Sequence, residues 1–214
     1  STCKKEQIFK DYTLKGPVFG TTYKITYLNS DINYQKSIDS LFLKMNLSLS
    51  TYIPNSAISR INKGDTDVLV DDFFVEVFEK SKRIFKETDG FFDPTVGNLV
   101  NAWGFGPKIE KGNLTEDQVN AQMQFVGLDK VKLKNNSIVT EGSGFYLDFN
   151  SIAKGFGIDV VARFLESKNI YNYLVEIGGE IRTGGFKKGQ QPWLVKLVDP
   201  IQSNANAGFK NLNL

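Results

Sequence analysis

Apolar and polar positions alternate in two distinct periods along this chain. Tyr23, Ile25 and Tyr27 interleave with Thr22, Lys24 and Thr26, which predicts a strand over Thr22–Tyr27 with a flexible lead-in over Pro17–Thr22. Tyr34, Ile38, Leu41, Phe42, Met45 and Leu49 recur at helical spacing, so an amphipathic helix of about four turns is expected, its stripe read as core. A loop over Ser50–Ser56 leads to a short helix at Ala57–Asn62. Asp71 and Asp72 then precede Phe74, Val77, Phe78, Ser81, Ile84 and Phe85, a helix with carboxylates at its positive end that stops at Thr88-Asp89-Gly90.

Farther on, Thr115-Glu-Asp-Gln118 has capping-box spacing and starts a short helix. Lys130–Lys134 and Ser137–Thr140, joined by Asn135-Asn136, read as a β-hairpin. Phe145–Phe149 is expected as a strand, followed by a helix from Ile152 to about Ser167 with Ile158, Val161, Phe164 and Leu165 on one face. Tyr173–Ile177, Glu180–Thr183 and Trp193–Val198 form an antiparallel set, and Phe209–Leu214 opens another strand whose partners are expected to follow. Strands and helices mix without regular βαβ alternation, and no repeat or linker divides the chain. The expected class is α+β, with mainly antiparallel sheets and packed helices.

Composition removes whole classes of function. The 214 residues are 41% apolar, enough for a substantial core. Lys and Arg total 26 against 24 Asp and Glu, and the basic residues are scattered, so no nucleic-acid partner is expected. No apolar run approaches the roughly 20 residues of a bilayer-spanning helix. Histidine is absent, which excludes within this chain a Ser-His-Asp or Cys-His relay, a zinc site of the HExxH type and any imidazole acid or base. Catalysis here would rest on carboxylates, lysine, hydroxyls or a hard cation.

The lone Cys3, between Ser1-Thr2 and the polar run Lys4-Lys-Glu-Gln7, has two readings. It matches the acylated first residue of a mature bacterial lipoprotein, with residues 1–16 as its tether, or it is a chance cysteine behind a cloning remnant. A single cysteine excludes an internal disulfide and a cysteine zinc cluster.

The run Tyr146-Leu-Asp-Phe-Asn-Ser-Ile-Ala-Lys-Gly-Phe-Gly-Ile-Asp159 carries the most chemistry. Asp148, Ser151 and Lys154 are spaced by three, so their groups can converge at a helix N-terminus, whose free N–H groups suit phosphate oxygens. The plain alternative is a helix cap and a surface lysine. Gly178-Gly179 permits close approach of a pyrophosphate or simply makes a tight strand connection. Neither GxGxxG nor GxxxxGK[ST] occurs, so a nucleotide would be held in some other way. Phe91-Phe-Asp-Pro-Thr-Val-Gly97 and the following Asn98–Pro107 are unusually rich in aromatic and glycine residues, although Asp93-Pro94 alone commonly just starts a turn.

Five collinear segments resemble the FAD:protein FMN transferase (ApbE) family: Gly20–Tyr23, Leu49–Asn62, Thr88–Pro107, Leu147–Gly155 and Val175–Gly184. The resemblance implies an ApbE-like, T-fold-related architecture, with residues 17–214 forming the flavin transferase domain and its C-terminal part missing. It implies Mg²⁺-dependent transfer of FMN from FAD to a threonine hydroxyl of a membrane redox protein, with release of AMP. FAD hydrolysis to FMN and AMP, or flavin binding without catalysis, are the alternatives.

By motif position, flavin contacts fall to Phe19, Tyr52, Phe91, Phe92, Asp93, Asp148 and Lys154, with Gly178 and Gly179 against the nucleotide, while Ser151 stands beside the metal. The family often has methionine at the Phe19 position, and some members have glutamate at that of Lys154. Ser151 offers only a neutral oxygen, so anionic Mg²⁺ ligands are expected downstream of Leu214, and this chain alone is expected to be feebly active. The resemblance also implies a lipoprotein of the bacterial cell envelope, anchored in the inner membrane and facing the periplasm or the outer face of the membrane.

Overall fold

The structure, a computed structural model, describes residues 8–107, 113–197 and 210–214. Cys3 and Asp199–Gly208 lie outside the described residues. The chain divides into two units, one formed by residues up to Asp39 and from Gly157 onward, the other by Ser40–Phe156.

The first unit is built on a four-stranded antiparallel sheet in the order β1-β2-β5-β6, from β1 (Lys10–Val18), β2 (Thr21–Ser30), β5 (Tyr173–Ile177) and β6 (Glu180–Gly184). β2 and β5 obey the period of two that their sequences announce: Tyr23, Ile25, Tyr27, Tyr173, Val175 and Ile177 are all buried. β1 differs from expectation. Residues 10–18, expected as the end of a tether and the start of a lead-in, form a strand paired with β2 from Val18↔Thr21 to Tyr12↔Tyr27. Only Leu14 and Val18 of this strand are buried, and its lysines and Pro17 face outward from the sheet's edge, where a proline and charges are tolerated. That composition hides the strand from a hydrophobicity reading.

Within the same unit, Arg182 of β6 donates to Asp159 Oδ1 at 2.7 Å and Glu166 Oε1 at 3.1 Å, both carboxylates belonging to α6 (Asn150–Ser167). Tyr173 donates its hydroxyl to the same Glu166 oxygen. A second ribbon pairs β7 (Leu194–Leu197) with β8 (Lys210–Asn213). β8 is thus paired with the preceding strand, β7. Trp193 is buried at the base of this ribbon and donates its indole N–H to Gly184 O at 3.0 Å.

The second unit holds most of α1 (Gln35–Leu49), then α2 (Ala57–Asn62), α3 (Asp72–Glu87), α4 (Gly97–Ala102), α5 (Glu116–Met123) and the hairpin β3 (Val131–Lys134) with β4 (Ser137–Thr140). Local chemistry sets these boundaries. Asp71 caps α3 by accepting from Phe74 N at 2.9 Å. Thr115 and Gln118 form a reciprocal capping box. Asn135 and Asn136 take φ of 49° and 57°, the pair of left-handed residues that a two-residue hairpin turn requires. Phe42, Met45, Phe74, Val77, Phe78, Leu147 and Phe149 are buried in this unit's core.

The expected strand at Phe145–Phe149 does not form: only Tyr146 makes a bridge, parallel, with Val96. The buried main chain is satisfied by other means. The Asn62 amide accepts from Leu147 N and donates to Leu147 O, each at 2.8 Å, reproducing the two bonds of a strand partner. Asp148 N donates to Pro94 O at 2.8 Å. Gly97 permits this approach, since a Cβ there would stand 2.8 Å from Tyr146 O.

Replacing Asn62 with Ala would leave two buried backbone groups of Leu147 unpaired. The expected loss is about 1–3 kcal/mol, read as a lower denaturant midpoint at unchanged slope. An unchanged midpoint would show that the amide contributes nothing to the fold.

Candidate functional site

α6 starts with an Asx turn. Asp148 Oδ1 accepts from Asn150 N at 2.7 Å, and Asp148 Oδ2 accepts from Asn150 Nδ2 at 3.1 Å. Phe149, fully buried edge-on against Phe74 with ring centroids 5.3 Å apart, fixes the entry into the helix. Asp148 is 8% exposed, and its burial raises its pKa above the ordinary aspartate value, against the pull of the two bonds from Asn150. Ser151 lies exposed in the first turn, and Lys154 is half-buried one turn on.

Two further segments reach this helix start within the second unit. Asn150 Nδ2 donates to Thr51 Oγ1 at 3.3 Å, which brings in the Ser50–Ser56 loop. Next to Thr51, Tyr52 is 57% exposed and ties its hydroxyl to Phe105 O at 3.2 Å. The second segment follows α3, whose end is turned by Asp89 and Gly90 at φ of 49° and 82°. It presents Phe91, 96% exposed, beside a half-buried Phe92 whose N–H donates to Thr88 Oγ1 at 3.1 Å. Asp93 turns its carboxylate inward, with Oδ1 accepting from Thr95 N at 2.8 Å and Thr95 Oγ1 at 2.6 Å. Its Oδ2 accepts from Leu128 N at 3.2 Å.

The second unit therefore gathers Tyr52, Phe91, Phe92, Asp93, Asp148, Ser151 and Lys154 on three adjoining segments. The other three expected residues belong to the first unit. Phe19-Gly20 turns β1 into β2 at φ of 47° and 74°, and Gly178-Gly179 turns β5 into β6 at φ of 55° and 89°. These hairpin turns sit at one end of the sheet, where Gly178 N donates to Thr22 O at 3.0 Å. Gly179 N donates to Glu176 Oε1 at 2.7 Å. The glycine pair makes the tight connection, and its backbone is exposed.

Chemically, the second-unit cluster joins exposed aromatic faces to a helix start that carries a hydroxyl and a lysine. Such a surface suits a planar ring and phosphate oxygens. For a hard cation, Ser151 supplies an accessible neutral oxygen, and among the described residues no cluster of three acidic, histidine or cysteine groups could hold a metal ion. That donor set is one neutral part of a Mg²⁺ site, since the ion commonly recruits one or two carboxylates together with substrate phosphates and water. Thr51, Thr95 and Asn150 escape a sequence reading, since isolated polar residues near turns carry no signal of their partners.

The ApbE family model matches residues 19–213. The chain is similar to an FAD:protein FMN transferase of Vibrio cholerae serotype O1, 36% identical over 195 residues that cover 87% of this chain and 58% of the relative. One from Haemophilus influenzae is also 36% identical, over 233 residues that cover 100% of this chain and 67% of the relative. Among solved structures, the flavin transferase ApbE from Vibrio cholerae superposes with a TM-score of 0.83 at 36% identity, covering 90% of this chain and 65% of that one. The apo form of the Pseudomonas stutzeri flavinyl transferase ApbE gives 0.85 at 26% identity, covering 96% and 66%. The chain thus spans between about three-fifths and two-thirds of the length of these proteins. A match that runs through every segment of the cluster, in both sequence and fold, shows that this chain belongs to the ApbE family.

Proposed function

We propose that this chain binds FAD and serves the transfer of its FMN half to a hydroxyl of an acceptor protein, with release of AMP. The observation that carries the reading is the meeting of three family-matching segments at the start of α6 in the second unit. In this reaction the acceptor oxygen bonds to the flavin-side phosphorus while the bridging P–O bond breaks. AMP leaves with the electron pair, and the hydroxyl proton is released. Ser151 would offer Mg²⁺ one neutral oxygen, and the ion, when bound, would supply positive charge to offset that of the leaving phosphate. Tyr52, Phe91 and Phe92 offer faces to an aromatic ring, and Lys154 is suited to neutralise phosphate.

The acceptor proposed is a membrane redox protein, reached from the cell envelope by a chain anchored through lipid on Cys3. Mass spectrometry of the membrane-bound protein tests this anchor: an N-terminal Cys3 peptide without acyl mass would sink it.

Incubation with FAD, Mg²⁺ and an acceptor peptide, followed by mass analysis, separates the possible reactions. An acceptor heavier by FMN supports transfer. FMN and AMP without a labelled acceptor would make the protein a pyrophosphatase, and FAD recovered intact from a bound complex would leave only binding.

FAD titration should quench or shift flavin fluorescence, and Lys154→Ala should weaken binding by roughly 1–3 kcal/mol at nearly unchanged stability. A variant that melts early yet keeps its affinity would make Lys154 a structural residue instead.

Asp148 gives a pH dependence of known sign. Its folded pKa lies above the unfolded value, so between the two the native state holds a proton that the unfolded chain has lost. Stability therefore falls as pH rises through that window, and the burial penalty is complete above it. Asp148→Asn keeps the acceptor for Asn150 N and removes the titration. Denaturation of both proteins across the acid range should show the wild type losing ground to the variant as pH rises, and a gap moving the other way would mean that Asp148 is stabilised as the anion.

A further inference from the structure

Asp93 and Thr95 build a closed set of bonds beneath the candidate site. Thr95 is fully buried, and its hydroxyl donates to Asp93 Oδ1 at 2.6 Å while accepting from Gly127 N at 2.7 Å. Asp93 in turn receives Thr95 N and Leu128 N. Gly127 is a firm anchor for this set: its φ is 141°, and a Cβ there would meet Asp129 Oδ1 at 2.9 Å. Between Asp93 and Thr95 stands Pro94, whose carbonyl receives Asp148 N at 2.8 Å. The one hydroxyl of Thr95 therefore ties the Asp93–Thr95 turn to the 127–128 loop, and that turn holds the main chain of Asp148.

We propose that Thr95 is a positioning residue of the flavin site, acting through Asp93 and the Pro94 carbonyl to fix where Asp148 and the start of α6 stand. Asp93 then belongs to the frame of the site, its carboxylate committed to the turn. A side chain that meets ligand is held to working geometry only when its own support is locked, and here the lock is a buried hydroxyl that both donates and accepts. The proposal rests on the FAD-binding reading given above.

Thr95→Val keeps the shape and removes both bonds, whereas Thr95→Ser keeps the hydroxyl. Native-state amide exchange is measured at Asp148, Gly127 and, as a reference in the other unit, Ile25, alongside FAD titration. In Thr95→Val, the Asp148 and Gly127 amides should exchange about tenfold faster with Ile25 unchanged, and the Kd for FAD should rise about tenfold. Thr95→Ser should restore both. Should Thr95→Val fail to fold, Thr95→Cys, whose thiol is a weak acceptor in the same place, carries the same comparison. Unchanged Asp148 protection, unchanged Kd, or a serine variant that behaves like valine overturns the proposal while leaving FAD binding intact. A wild-type chain that takes up no FAD overturns the functional reading and this proposal together.

Discussion

The second unit depends on how it satisfies one buried stretch of main chain. Residues 147–149 are buried without a strand beside them, and unpaired amides there would cost more than any single apolar contact returns. The groups that meet them come from distant points in the chain: the amide of Asn62, the carbonyl of Pro94 and the bridge from Val96. Each partner also fixes the element it belongs to. One requirement of hydrogen bonding thus docks α2, the turn after α3 and the start of α6 in a single arrangement, and the ligand-suited residues stand on the latter two and on the loop that leads into α2.

Much of this was legible in the residues because the signals were local. The capping box at Thr115, the aspartate before α3 and the paired asparagines of the β3–β4 hairpin each act through a partner within three residues, and each element appears where its signal lies. The strands β2 and β5 declare themselves by an alternation that burial enforces. What escaped depends on partners far along the chain. A run such as Phe145–Phe149 reads as a strand because its composition is a strand's, but pairing needs a neighbour, and a side-chain amide 85 residues away took that place. β1 escaped for the opposite reason, since an edge position asks little of its sequence.

The candidate site follows the same division. The family motifs name Asp93 beside Asp148, yet the two carboxylates have different lives. Asp148 is buried with Asn150 as its partner, while Asp93 is half-buried and spends its oxygens on the backbone and hydroxyl groups of its own turn and the neighbouring loop. No spacing rule separates these roles, because the difference lies in which donors the fold delivers to each oxygen. The glycine pair was open between two readings for a related reason: a residue without a side chain serves a turn and a ligand equally well.

The turn between β1 and β2 has a bearing on engineering. Phe19 is held at φ 47°, a conformation that costs a residue with a Cβ about 1 kcal/mol and that asparagine or glycine adopts with less strain. A campaign for thermal robustness guided by backbone preference alone would single out this position early, and the swap would be tolerated by the hairpin. It would also strip an aromatic ring from the sheet end where Gly178 and Gly179 lie. If FAD is bound as proposed, with Phe19 against the flavin, selection for melting temperature and selection for performance would pull this one codon in opposite directions.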